Sequence, residues 1–379
     1  MKEKQKPIRI AQVIGKLNAA GVESVMNNYY RNLDHSKIQF DFIIDADSNC
    51  KPPKELIEMG AKYYVIPPYQ KLPAHIKALV KLFRKNHYPI VHSGMNTLAV
   101  FSLFAAWLAK VPVRINHNHS TADKGEGKRI ILKYALKPFA KIFATDYFAC
   151  SEFAGRWLFG NRTYNKGKVL VLNNAIDLDR FSFDPKKRAE IRSDYNIAPD
   201  SLVVGHVGRF MPQKNHAFLL KIFCQLLKKR PDSVLMLVGD GELRKDIQAE
   251  VKRLNISDKV IFIDPTTNVS DYYMAMDVFC FPSIFEGLGL VAIEAQAAGL
   301  PVIASKAVPD EADITDEIVH LSLDNSCKKW ADAIIRFSHT DRNRQLDLEN
   351  SKFNIKKESA KLERFYLHAF NELRRKGWR

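Results

Sequence analysis

Short apolar runs, each bounded by polar, glycine or proline turns, recur along the whole chain and alternate with stretches of helical period. In the first half they predict strands at 8–14, 40–44, 63–66, 90–92, 113–116, 147–150 and 169–172. Helices are expected between them at 21–33, 73–86, 97–110 and 128–143. In the second half the strands fall at 202–207, 234–238, 260–263, 278–281, 301–304 and 318–321, with helices at 215–229, 243–254 and 290–298. Strict alternation of this kind means parallel sheets flanked by helices. Polar turn residues near 177–185 end the first series. The chain therefore reads as α/β, with two doubly wound, Rossmann-like domains in tandem. Ligands bind such sheets at the C-terminal ends of the strands, so two facing sheets imply one cleft.

The chemistry concentrates at those strand ends. Glu286 and Glu294 stand eight apart in Phe285-Glu286-Gly287-Leu288-Gly289-Leu290-Val291-Ala292-Ile293-Glu294-Ala295. The first belongs to the loop after a buried strand, the second to the helix that follows, closed by Gly299. Gly287 and Gly289 let a ligand approach the amides of Leu288, Gly289 and Leu290 at a helix N-terminus, where negative charge is favoured. Free amides for phosphate and two carboxylates for hydroxyls suit a sugar nucleotide. Two acids complementing a helix dipole explain the same pattern more simply.

Gly205-His206-Val207-Gly208-Arg209 ends the first strand of the second domain, and Pro212-Gln213-Lys214-Asn215 leads into its first helix. Arg209 and Lys214 are thus two cations on one loop, suited to a diphosphate, or to salt bridges. Val238-Gly239-Asp240-Gly241 reads as an ordinary strand-to-helix turn. In the first domain Gly15 and Gly21 bracket a strand-to-helix turn. His117 and His119 alternate along one strand end and so share a direction. With no third ligand they do not make a metal site, and a substrate contact or proton carrier is the better reading.

Composition sharpens the picture. The 379 residues are 46% hydrophobic, enough for two cores. The first apolar run has a strand's length, not that of a secretory signal, and the longest, 98–109, is too short to span a bilayer. Five scattered cysteines in no paired spacing read as reduced thiols of a cytoplasmic protein. Residues 1–170 hold 27 Lys/Arg against 12 Asp/Glu, whereas 171–379 hold 31 against 30. So basic a half points to a polyanionic partner: an anionic membrane surface, nucleic acid or a phosphorylated acceptor. The segment 128–143 mixes cations with large apolar residues as an interfacial helix does, with Pro138 as a kink.

Taken with Ile10-Ala11-Gln12-Val13-Ile14-Gly15, Gly21-Val22-Glu23, Phe40-Asp41-Phe42, Arg114 through Ser120, Asn174-Ala175-Ile176-Asp177 and the two-glutamate stretch, the whole chain resembles the retaining, metal-independent glycosyltransferases of family 4. It is most similar to members acting in capsule and exopolysaccharide assembly. The resemblance implies the GT-B fold, with an acceptor domain over 1–178 and a sugar-nucleotide domain over 179–355. A C-terminal helix over 356–379 is expected to pack back on the first domain. It implies no cofactor and no metal. The donor is a nucleoside diphosphate sugar, UDP-linked, with its ribose on Glu294 and its diphosphate on Arg209, Lys214 and the amides near Leu288, Gly289 and Leu290. Glu286 holds the donor sugar, and His119 is catalytic. Gly21 and His117 lie on the acceptor side, where a saccharide or polyprenyl-linked acceptor enters. The basic first half adds the expectation of a peripheral protein at the inner face of the membrane.

This sequence departs from the family at Ala20-Gly21, where relatives carry two glycines, and at Asn174-Ala175, where Asn-Gly is common. A sugar-nucleotide epimerase would use the same donor cleft. A nucleic-acid-binding protein would explain the basic half, but Arg-rich segments, interleaved aromatics and a recognition motif are missing.

Overall fold

Every strand that the apolar runs predict is present, and every pairing is parallel. The computed structural model describes residues 6–17, 22–119, 128–266, 268–342 and 348–378. Contacts divide the chain into one unit of Met1–Ile176 with Lys352–Arg379 and another of Asp177–Ser351.

Among the described residues the first unit holds β1 (Ile8–Gly15), β2 (Ile38–Asp45), β3 (Lys62–Ile66), β4 (Ile90–Ser93), β5 (Val113–Asn118), β6 (Asp146–Ala149) and β7 (Val169–Val171). They are ordered β3-β2-β1-β4-β5-β6-β7. β1, β2 and β4 are buried almost throughout, which is why they read as unbroken apolar runs. Helix Val22–Arg31 buries Val25, Met26, Tyr29 and Tyr30, neighbours on one helical face.

The 21-residue helix Ile355–Arg375 belongs to this unit. Asn354 caps it by accepting the Lys356 amide. Glu358 accepts the Asn173 N–H at 2.8 Å, Glu363 that of Asp34 at 3.1 Å, and Phe365 packs edge-on against Phe148.

The second unit holds β8 (Val203–Val207), β9 (Val234–Val238), β10 (Val260–Ile263), β11 (Val278–Phe281), β12 (Val302–Ser305) and β13 (Ile318–Leu321). Their order is β10-β9-β8-β11-β12-β13. Asp277 anchors this sheet, taking 2.6 Å ion pairs from both Arg188 and Arg192 and the Val203 amide at 2.7 Å.

In each unit the strand order reverses beside its first strand, between β1 and β4 and between β8 and β11. Chain leaving two such strands goes opposite ways, which opens a crevice at their C-terminal ends.

The expected helix over 128–143 does not run through. It ends at Leu136, and Lys137–Phe139 forms a tighter 3₁₀ turn. Pro138 is the cause, because it lacks an N–H and disfavours helical backbone at the residue before it.

Candidate functional site

In the second unit the crevice between β8 and β11 gathers most of the residues singled out above. The loop after β8 carries Arg209 and Lys214, and the loop after β11 carries Glu286. Backbone and side-chain bonds stitch the two loops together. Ile284 N donates to Gln213 O at 2.8 Å, Gln213 Nε2 to Phe285 O at 2.7 Å, and Asn215 Nδ2 to Pro282 O at 3.1 Å. Asn215 takes a left-handed conformation (φ 57°) to start helix His216–Leu227, a conformation that Asn tolerates.

The stitching sets Lys214 Nζ 2.7 Å from Glu286 Oε1, with the two side chains only 14% and 7% exposed. The ammonium also lies 4.8 Å from the centre of the Phe281 ring. Arg209 behaves differently. It is exposed and makes no ion pair or hydrogen bond among the described residues.

Leu288 and Gly289 complete the loop, and Leu290 begins helix Leu290–Ala297. Gly289 caps that helix at φ 81°, and a side chain there would meet Phe281 at 3.1 Å and Val308 at 3.3 Å. A Cβ at Gly287 would meet nothing within 4 Å, so the loop's outer side is open to a ligand.

Glu294 sits one turn into this helix. The Tyr273 hydroxyl donates to its Oε2 at 2.9 Å. Burial raises the Glu294 carboxyl to about 7, against the lowering pull of Tyr273, Arg180 and Lys214. Tyr273 is held well above its ordinary range by burial and by that carboxylate.

The Gly239–Gly241 turn is structural. A Cβ on Gly239 would stand 2.2 Å from Gly208 O, and one on Gly241 2.4 Å from Phe210 O. These glycines let the turn pack directly on the backbone that carries Arg209.

In the first unit His119 N donates to Asn96 Oδ1 at 2.7 Å, and His119 Nδ1 lies 3.2 Å from Asn174 Oδ1. The ring centres of His117 and His119 are 3.8 Å apart, so the two side chains do share a direction. His117 itself is wholly buried and bonds His92 Nε2 at 3.0 Å. It lies two residues further back along the chain than His119, beneath that ring. Burial lowers His92 to about 3 and His119 to about 4, and holds His117 well below its ordinary value. Gly21 and Ser120 lie outside the described residues.

Sequence reasoning missed Tyr273 and the buried partners His92 and Tyr366. His92 lay on a predicted strand and so was legible in principle. Tyr366 bonds Gln12 across 354 residues of sequence, which no local signal reveals.

For metals, one group among the described residues brings three ligating atoms within 4.8 Å of one another: Asp310, Asp313 and His320. Asp310 is exposed, and His320 Nε2 is 3.0 Å from Asp313 Oδ1, the geometry of an ion pair.

The model described as "Glycosyl transferases group 1" matches residues 187–353, and that for "Glycosyltransferase Family 4" matches 19–180. The chain is 35% identical over 341 residues to EpsF of Bacillus subtilis (strain 168), a protein named as a glycosyltransferase, covering 88% of each. It is 25% identical over 387 residues to an Escherichia coli UDP-Gal:alpha-D-GlcNAc-diphosphoundecaprenol alpha-1,3-galactosyltransferase, covering 97% of this chain and 98% of that one. Among solved structures, Anabaena HepE in complex with UDP and glucose is similar, with a TM-score of 0.77 and 17% identity. That likeness covers 95% of this chain and 99% of HepE. It is one of fold, the GT-B fold.

Proposed function

The chain belongs to the group 1, family 4 glycosyltransferases, and from that premise we propose a specific reaction for it. It transfers a sugar, with retention and without a metal, from a UDP-sugar to a saccharide or polyprenyl-linked saccharide in cell-surface polysaccharide synthesis. It acts as a peripheral protein on the inner face of the membrane. The observation that carries the reading is the Lys214–Glu286 pair beside the Gly289 helix cap. It puts a cation, a carboxylate and a helix N-terminus at one switch point. The E. coli relative named for a UDP-Gal donor and a diphosphoundecaprenol acceptor supports the substrate classes.

In this reading the ribose hydroxyls meet Glu294. The diphosphate meets Arg209, Lys214 and the amides of Leu288, Gly289 and Leu290, while Glu286 binds donor-sugar hydroxyls. Breaking the anomeric C–O bond leaves the electron pair on the diphosphate and positive charge on the sugar. Two cations and a helix N-terminus stabilise the departing charge. The acceptor oxygen bonds the anomeric carbon on the face the diphosphate leaves, and its proton passes to the leaving phosphate oxygen. On the first unit His119 serves the acceptor side, a role that Gly21 shares in this reading. His117, being buried, supports His119 from beneath.

The test is a panel of nucleoside diphosphate sugars with the purified protein, read by thermal shift and slow hydrolysis. A ligand that binds only the folded form raises its stability by mass action, so the donor stands out. Stabilisation by no member of the panel overturns the donor site. Conversion of a donor to an isomer without acceptor makes the protein an epimerase instead.

A further inference from the structure

Hydrogen bonding links a buried histidine cluster in the first unit. Gln12 and His92 are register partners on β1 and β4, so their side chains lie on one face of the sheet. Gln12 Nε2 donates to the Tyr366 hydroxyl at 2.8 Å, and that hydroxyl lies 2.5 Å from His92 Nδ1. Tyr366 is fully buried, and the reverse direction would leave its hydroxyl proton without an acceptor, which is costly. The tyrosine therefore donates to His92 Nδ1. The His92 proton then sits on Nε2 and goes to His117 Nδ1, 3.0 Å away. His117 is left with its own proton on Nε2, which is buried without a hydrogen-bond partner among the described residues, and its ring lies against that of His119.

His119 is held from two further sides. Its backbone amide is fixed by Asn96, and its Nδ1 faces the Asn174 oxygen. An amide oxygen only accepts, so the imidazole proton sits on Nδ1. The other nitrogen, Nε2, is buried and has no partner among the described residues, on a residue just 9% exposed. It lies beside Gly94, where a Cβ would stand 3.4 Å from it and 2.7 Å from Val22. A bare nitrogen kept dry beside a glycine is an unfilled acceptor.

We infer that Asn174 is a positioning residue that locks His119 in the Nδ1–H tautomer, so that its bare Nε2 accepts a hydrogen bond from a sugar hydroxyl. The Gln12–Tyr366–His92–His117 chain holds the ring beneath it in place. The inference rests on placing His119 on the acceptor side. Asparagine suits the task because it orients the ring without charging it. Among the described residues the ionisable groups electrostatically coupled to His119 are His92 and His117, and neither lends it negative charge.

The tautomer is measured directly, without activity. Long-range ¹H–¹⁵N spectra of the full chain labelled with ¹⁵N-histidine, with the resonance identified by His119→Gln, should show His119 protonated on Nδ1. A proton on Nε2 overturns the lock. Asn174→Asp sets a carboxylate against Nδ1–H and should raise the His119 titration by about one pH unit or more. The acid limb of the activity profile should move to higher pH with it, because the imidazolium has no lone pair to offer. An unmoved titration also overturns the lock. If tautomer and titration behave as expected while His119→Ala leaves transfer to the natural acceptor intact, the lock stands and the acceptor-side reading falls.

Discussion

Lys214 Nζ and Glu286 Oε1 lie 2.7 Å apart, 72 residues apart in sequence, and both side chains are largely shielded from water. In the proposed reaction each has a different final partner, the lysine a phosphate and the glutamate a sugar hydroxyl. The pair therefore holds both groups in place until the donor exchanges it. Removing one partner of a shielded pair leaves the other charge buried, at about 3 kcal/mol or somewhat less here. We expect Lys214→Met and Glu286→Gln each to lower the melting temperature of the free protein. The double variant should be more stable than the sum of the two effects implies. Strict additivity in a double-mutant cycle removes the pair as a structural element. Glu286→Ala should in addition lower turnover on the order of a hundredfold if it acts in the transition state.

Arg209 and Lys214 differ in a way that separates binding from folding. Arg209 is exposed and unpartnered among the described residues, so Arg209→Ala should leave stability within about 0.5 kcal/mol. Its loss should still weaken UDP binding by about 1.5–3 kcal/mol, roughly ten- to a hundredfold, while hardly changing affinity for uridine. Titration calorimetry with both ligands decides it. Equal losses for the two place Arg209 away from the diphosphate.

Glu294 carries a pH signature. Its carboxyl rises from 4.5 to about 7 in the free fold, so between these values the folded chain keeps a proton that the unfolded chain has released. Stability from this group is full below about 4.5 and is lost as pH rises through about 7. Glu294→Gln should therefore stabilise the unliganded protein at pH 8, by about 1–3 kcal/mol, with little effect at pH 4. The same substitution should weaken nucleotide binding, since the carboxylate is the group assigned to the ribose. Wild-type affinity for the nucleoside should rise between about pH 6 and 8 as the carboxyl ionises. Flat affinity over that range detaches Glu294 from the nucleoside.

The strands were legible because a parallel sheet covered on both faces buries nearly every residue of a strand. Some helices were not. Pro185–Asp194 buries only Ile191 and Arg192, so no apolar stripe marks it. Its one sequence signal was the Asp184-Pro185 start, and in the structure Asp184 caps the Lys186 and Lys187 amides. At the site the loops could be read from sequence, since glycines and charges punctuate them. Pairings between elements, Lys214 with Glu286 and Glu294 with Tyr273, could not, because they depend on which loops and helices become neighbours. His117 shows the same limit. Alternation gave its direction, and only the neighbouring strand with His92 shows how deeply it is buried.

The last prediction concerns the basic first unit. Among the described residues Ile131, Tyr134, Phe139, Ile142 and Phe153 are large, apolar and exposed, Ile131 by 69% and Phe153 by 66%. Tyr134 contacts Trp157, and Lys137 lies 4.9 Å over that indole, so the helix Lys128–Leu136 and the helix Glu152–Phe159 share one surface. Phe153 precedes Trp157 by one turn on the same face. Apolar rings interleaved with Lys137 and Lys141 suit an anionic bilayer surface, and no helix among the described residues is long and apolar enough to cross a membrane. Each lysine near such a surface contributes about 1 kcal/mol, screened within a Debye length of about 8 Å at physiological salt. Sedimentation with vesicles should show binding that requires anionic lipid and falls with added salt. Neutralising Lys133, Lys137 and Lys141 should reduce the salt-sensitive part. Ile131→Ser with Phe153→Ser should reduce the part that survives salt, because those side chains insert among the acyl chains. Equal binding to neutral vesicles, or none to anionic ones, removes the membrane from the account of this surface.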